Sequence, residues 1–201
     1  MKRHPRRLSA ASDEKTMGSL PTVHSVHFYE SHDALIGRLS GIVHSGLLIG
    51  NSVLLVCTAE HREQLLQSME RLEVNVRDPA RQGRFSIYDA SQMLAMFMVD
   101  GQPDAGLFVA SVGRVLAEGK KAARSKDGGL TVFGEMVAVL WEDGNKDGAM
   151  ALERLWNRVM EDRAFHLHCA YPNWLFDDGE AELQDICRVH THVLGTAPAA
   201  A

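Results

Sequence analysis

Cysteine is scarce here: Cys57, Cys169 and Cys187 are the only three in 201 residues, widely spaced and without a C-x-x-C pair. That spacing argues against a disulfide framework and against a zinc knuckle built on paired thiols, and an odd count fits a reducing compartment. Long apolar runs are missing as well. No stretch approaches the roughly 18 apolar residues that a membrane-spanning helix needs. The basic start, with Lys2, Arg3, Arg6 and Arg7, has no apolar segment behind it as a secretory signal would. The expected location is therefore the cytoplasm, with no membrane partner. An excess of positive charge is also lacking. At a net charge of -5 the chain has no general attraction to nucleic acid, and no direct nucleic-acid partner is expected.

What is present is an alternation of short apolar runs with longer amphipathic ones. Strands are expected over 23–29, 53–58, 84–89, 130–133 and 165–171. The run Val53-Leu54-Leu55-Val56-Cys57-Thr58 is apolar almost throughout, as a strand buried on both faces of a parallel sheet should be. Helices are expected over about 33–48, 59–72, 91–99, 104–123, 137–141, 146–160 and 179–194, on apolar spacings of three and four residues. In the helix at 146–160, Leu152, Leu155, Trp156 and Val159 make one stripe, so Trp156 reads as core. Alternating strand and helix implies right-handed crossovers and a mainly parallel sheet with helices on both faces. The expected fold is thus a three-layer α/β sandwich over 23–194, flanked by polar, disordered tails at 1–22 and 195–201.

A series of phrases then points to one family. His27-Phe28-Tyr29-Glu30, Ala59-Glu60-His61-Arg62, Tyr88-Asp89-Ala90 and Phe97-Met98-Val99-Asp100-Gly101 come first. Phe133-Gly134-Glu135-Met136-Val137, Leu140-Trp141 with Gly144, and Leu152-Glu153-Arg154-Leu155-Trp156-Asn157 follow. Cys169-Ala170-Tyr171-Pro172 and His190 end the series. In this order they resemble the MEDS domain, the DcmR-like sensory domain named for methanogens and methylotrophs, over about His24 to Leu194. The resemblance implies a bacterial or archaeal sensory module with a RecA/KaiC-like core that detects small molecules such as hydrocarbon derivatives. It also implies a regulatory protein partner, a histidine kinase or a transcription regulator, because such modules act through an output domain that this sequence does not contain.

The residues themselves bear on chemistry. A phosphate loop after the first strand would need glycines for backbone approach to phosphate, a lysine for charge and a hydroxyl for magnesium. The junction reads Tyr29-Glu30-Ser31-His32-Asp33-Ala34-Leu35, with no glycine, no lysine and two carboxylates. Neither a nucleotide cofactor nor hydrolysis is expected, and no G-x-S-x-G elbow suggests acyl chemistry. The chain reads as a non-enzyme without a cofactor. Ligands of open parallel sheets bind at the carboxyl ends of strands. The candidate ligand-binding set there is Tyr29, Glu30, Thr58, Tyr88, Asp89, Glu135, Cys169 and Tyr171. Glu135 ends an apolar strand, where it is either a ligand contact or a structural hydrogen-bond acceptor. Changing it to Gln is expected to weaken a ligand response with stability nearly unchanged.

Ten histidines raise the question of metal. His24 and His27 lie three apart on a strand and so face opposite sides, whereas His166 and His168 share a face. A partly buried polar pair is the plainer reading of the latter. His61 and Arg62 read as helix-end surface residues, and Cys169 as a small core residue. Trp141, Trp156, Trp174, Phe97 and Phe133 offer aromatic surface to either a core or a pocket.

Overall fold

The apolar runs become strands where the sequence places them, and the amphipathic segments lie against them. The computed structural model describes residues 22–125, 129–176 and 180–194; the two expected tails fall almost wholly outside this range. The chain runs β1 (His24–Tyr29), α1 (His32–Leu48), β2 (Ser52–Cys57), α2 (Ala59–Arg71), a short α3 (Arg77–Arg81), β3 (Phe85–Asp89) and α4 (Ala90–Ala95). A hairpin of β4 (Met98–Val99) and β5 (Gln102–Pro103) follows, then α5 (Ala105–Ala122), β6 (Leu130–Gly134), α6 (Met136–Glu142) and α7 (Lys146–Asp162). Last come β7 (His166–Pro172), a 3-10 turn at Asn173–Phe176, α8 (Glu180–Val189) and β8 (His192–Leu194).

Six strands form one parallel sheet in the order β3-β2-β6-β7-β1-β8, while β4 and β5 pair apart from it. Successive strand side chains point to opposite faces, so each strand feeds two cores. Val53, Leu55 and Cys57 of β2 pack with Leu35, Leu39 and Val43 of α1 and with Leu65 and Met69 of α2. Leu54 and Val56 face the other way, into a core shared with Phe108 of α5, Leu152 and Trp156 of α7 and Ile186 of α8. The result is a three-layer α/β sandwich. Trp156 is 1% exposed and stacks edge-on against Phe108 at 5.1 Å, so the stripe in α7 does face the core. Each such side chain contributes roughly 1.5–3 kcal/mol by leaving water.

Helix starts follow side-chain caps. Ser31, Thr58, Asp89, Asp104 and Asn145 accept from the backbone N–H three residues on, opening α1, α2, α4, α5 and α7. Each cap supplies about 1 kcal/mol. Thr58 directly follows β2, Asp89 ends β3 and Ser31 lies two residues beyond β1, so these caps fix strand-to-helix corners at the carboxyl edge.

Two expectations change. The helix expected over 91–99 stops at Ala95, because Asp100 and Gly101 take positive φ (49° and 77°) and turn a two-residue hairpin between Val99 and Gln102. Both central residues at positive φ match the twist a tight hairpin needs. The helix expected over 179–194 stops at Val189. Thr191 then donates its N–H to His24 O and takes the His24 N–H on its hydroxyl, and residues 192–194 add β8 to the sheet edge.

Candidate functional site at the carboxyl edge

The topology sets switch points at the carboxyl edge of the sheet. β1 and β2 hand the chain to α1 and α2 on one face, whereas β6 and β7 hand it to α6–α7 and α8 on the other. The neighbours β2 and β6, and β1 and β7, therefore part company at their carboxyl ends. Ligands of open α/β sheets bind at such switch points.

Glu135 directly follows β6 there and is 2% exposed. A buried carboxylate needs partners, and Glu135 has two. Its Oε2 accepts the Thr58 N–H at 2.9 Å, and its Oε1 lies 2.6 Å from His61 Nδ1. His61 reaches inward because Thr58 caps α2 by accepting the His61 N–H, which sets His61 on the first turn beside the end of β6. The far nitrogen of the ring, Nε2, lies 2.6 Å from His32 Nδ1 at the start of α1. His61 is 4% exposed, but His32 reaches solvent. Tyr29 of β1 and Trp174 of the 3-10 turn enclose the pair: Trp174 meets Tyr29 edge-on at 5.6 Å and His32 at the same distance. Trp174 is 44% exposed, a large apolar side chain left at the mouth.

Burial alone would lower the His61 pKa, but the hydrogen bond and charge of Glu135, with Glu60 and Glu142 adding, leave it above 6.5. Burial, with Glu135 and Glu142, pushes the Tyr29 phenol up, so it remains a neutral donor. Burial also raises Glu142, with Glu135 and Asp143 adding. Beneath Thr58, burial pushes the Cys57 thiol up to about 12, Glu135 adding.

The chain Glu135–His61–His32 can pass a proton state from the interior to the surface. With His61 charged, both its nitrogens carry hydrogen, Nδ1 paired by charge with Glu135 and Nε2 donating, so His32 Nδ1 must accept and the outer His32 Nε2 carries the hydrogen. With His61 neutral and its proton facing Glu135, His61 Nε2 accepts from His32, and the outer His32 Nε2 becomes an acceptor. A ligand that donates or accepts at His32 thus selects a protonation state of a buried group.

Of the eight residues expected at this edge, Tyr29, Thr58 and Glu135 meet here. Glu30 is exposed just before α1. Tyr88 and Asp89 end the edge strand β3, beyond β2 from Glu135: Tyr88 packs on the core below, and Asp89 caps α4 through the Gln92 N–H. Cys169 and Tyr171 point to the opposite face, where Tyr171 donates to Glu153 Oε1 of α7 at 2.9 Å. The one-residue alternation of a strand sends them there, and β7 runs on to Pro172, past the edge expected for it. His32, His61 and Trp174 complete the cluster; the position of His61 after a Thr cap was its only signal in the sequence, since a helix periodicity does not say which face meets the strand ends.

His166 and His168 do share the α1 face. His168 Nδ1 sits 2.6 Å from Ser25 Oγ, and burial, then Arg38, lowers its pKa to about 4. Both line a groove of about 610 Å³ at the other end of the sheet, with Arg38, Thr131 and Asn51.

No curated protein matches the chain. Residues 23–191 match MEDS, the MEthanogen/methylotroph, DcmR Sensory domain, and by a match over most of its length the chain belongs to that family of sensory domains.

Proposed function

We propose that this sensory domain binds a small, oxygen-bearing organic molecule at the carboxyl edge and signals through a protein partner, a histidine kinase or a transcription regulator. The observation that carries the reading is the buried Glu135–His61–His32 chain, which ends at a solvent-facing imidazole beside Trp174 and Tyr29. A hydroxyl or carbonyl of the ligand meets His32, and its hydrocarbon part lies on Trp174. Binding then fixes the proton state of His61, which sits between the starts of α1 and α2, and those helices carry the change to the partner face. A ligand shifts such an equilibrium only by its difference in affinity for the two states.

The role is regulatory and not catalytic, in the cytoplasm. The neutral Cys57 thiol and the absence of glycine and lysine between β1 and α1 support that reading. They also support a RecA/KaiC-like shell that has no phosphate loop. The groove beside Arg38, His166 and His168 offers a second place for the ligand, favoured by its size.

Thermal unfolding against short alcohols, aldehydes, carboxylic acids and magnesium–ATP tests the proposal. A ligand at about 100 times its dissociation constant adds roughly 2.7 kcal/mol. The shift is expected to vanish in His32→Ala and persist in Arg38→Ala. The reverse pattern moves the ligand to the groove. A shift with magnesium–ATP alone makes the chain a nucleotide binder, and silence across the panel together with a stable partner complex makes it a pure interaction module.

A further inference from the structure

On the opposite face of the sheet lies a second polar cluster, wholly separate from the edge. His24 begins β1, Cys169 lies in the adjacent β7, Glu153 projects from α7, and His190 follows α8. All four are buried, at 1%, 1%, 0% and 9% exposure, and their donor atoms all lie within 4.8 Å of one another. Four hydrophilic groups brought together from four elements in an apolar core need a reason.

The individual distances supply one. His24 Nε2 lies 3.3 Å from Glu153 Oε2 and 3.4 Å from Cys169 Sγ. Cys169 Sγ lies 3.7 Å from Glu153 Oε2, and His190 Nε2 lies 3.5 Å from Glu153 Oε1. A tetrahedral zinc ion with bonds of about 2.0–2.1 Å to nitrogen or oxygen and about 2.3 Å to sulfur has ligand-to-ligand edges of roughly 3.3–3.6 Å. The four separations above lie close to that range, and all the donors fall within 4.8 Å of one another.

The imidazoles are oriented for the same purpose. His24 Nδ1 lies 2.8 Å from Asn157 Oδ1, and the Asn157 amide is held by its Nδ2 donating to Val189 O at 2.8 Å. His190 Nδ1 lies 2.7 Å from Ile186 O. An oxygen of this kind only accepts, so each ring carries its hydrogen on Nδ1, and in the neutral ring Nε2 is the nitrogen that offers a lone pair to the cluster. His190 Nε2 is buried and has no hydrogen-bond partner. A cation between the two neutral rings, the thiolate and the carboxylate would give His190 Nε2 the partner it lacks and bind the lone pair of His24 Nε2 as well. Such outer hydrogen bonds, with the Tyr171 hydroxyl on Glu153, are how proteins steer metal ligands.

The geometry points to a buried, four-coordinate site for a zinc-class divalent cation held by His24, Glu153, Cys169 and His190. Thiolate and carboxylate together balance the charge of one divalent ion, so the loaded site is neutral in the core. Imidazole and thiolate select a transition metal over magnesium or calcium. Binding forms a metal–sulfur bond, and the Cys169 thiol proton leaves to solvent. With four protein ligands and no open position, the role is structural. It ties the segment after α8, and through Thr191 the strand β8, to the centre of the sheet.

The test uses the full chain, stripped with a chelator and reloaded with zinc or cobalt(II). We expect one metal per chain, a tetrahedral cobalt spectrum and a thiolate-to-cobalt charge-transfer band. Cys169→Ser keeps the size of the side chain and should abolish that band, with far-ultraviolet circular dichroism confirming a folded chain. Asn157→Ala leaves all four ligands and should weaken binding about 10–100-fold through loss of the His24 support. A folded chain that takes up no metal overturns the site. So does a cobalt spectrum unchanged by Cys169→Ser, which would place the metal on other residues.

Discussion

Replacing Glu135 by Gln removes one charge from the carboxyl-edge cluster and little else. The amide oxygen of the new side chain can still accept the Thr58 N–H, so the loss falls on the 2.6 Å contact with His61. Stripping one partner from a buried ion pair costs about 3–5 kcal/mol when the other charge is left stranded. His61 escapes part of that by giving up its proton, so near neutral pH the cost is closer to the roughly 1.5–3 kcal/mol of a charged hydrogen bond. For a domain of this length that lowers the Tm by about 4–10 °C. This geometry replaces the expectation of near-unchanged stability with an expected loss, since the carboxylate is 2% exposed and held by two contacts.

The pH dependence makes the reasoning refutable. Burial acts to lower the His61 pKa, and Glu135 acts to raise it; the net shift is upward. A histidine with a raised folded pKa binds its proton more tightly when folded. Its stabilisation is complete below the unfolded value of about 6.5 and is lost as pH rises through the folded value. Without Glu135, burial dominates and the sign reverses, so the variant loses stability as pH falls below about 6.5. The gap between the unmodified chain and Glu135→Gln must therefore widen from about pH 8 to about pH 5.5, a range in which exposed carboxylates stay ionised. Urea unfolding at several pH values measures it. A gap that stays constant, or widens toward alkaline pH, refutes the proton-coupled pairing.

His27 has a pKa lowered to about 4, by burial and then by Arg38, and its Nδ1 is buried without a hydrogen-bond partner. The unfolded chain therefore binds this proton more readily, and stability falls as pH drops from about 6.5 to about 4; allowing for its partly exposed ring, His27→Gln should recover about 1 kcal/mol at the acid end in urea titrations. Gly46 of α1 lies against β2, and a Cβ there would meet Val53 Cγ2 at 2.8 Å. Gly46→Ala gains about 1 kcal/mol of helix propensity but forces a shift costing about 1–3 kcal/mol, so a net loss is expected in thermal unfolding. Thr58→Ala removes the cap that positions His61 and should cost about 1 kcal/mol, with the ligand response weakened beyond that loss.

How much of this was legible without coordinates follows from what periodicity encodes. The strand β2 announces itself because a run buried on both faces is apolar almost throughout, and α7 because its stripe recurs at helical spacing. The turn at Asp100-Gly101 was written in the sequence too, but an apolar stretch ahead of it let the helix reading run on to residue 99. β8 left almost no trace, since a three-residue edge strand carries too few side chains to show a period. The edge site was half legible. Strand ends foretold that Tyr29, Thr58 and Glu135 lie near one another, because the backbone order alone brings them together. Cys169 and Tyr171 share the alternation of β7, but which parity faces which layer is set by where α1 and α7 pack, and no local pattern states that. The same limit hid the opposite cluster: His24, Glu153, Cys169 and His190 are up to 166 residues apart in the chain, counted from His24 to His190. Only the parallel pairing of β1 with β7, which sets Val26 beside Cys169 and so draws His24 and Cys169 onto one face, makes them neighbours. Local spacing rules find metal sites whose ligands share a turn or a helix, whereas a site assembled from four separate elements becomes visible only when strand order and register are known.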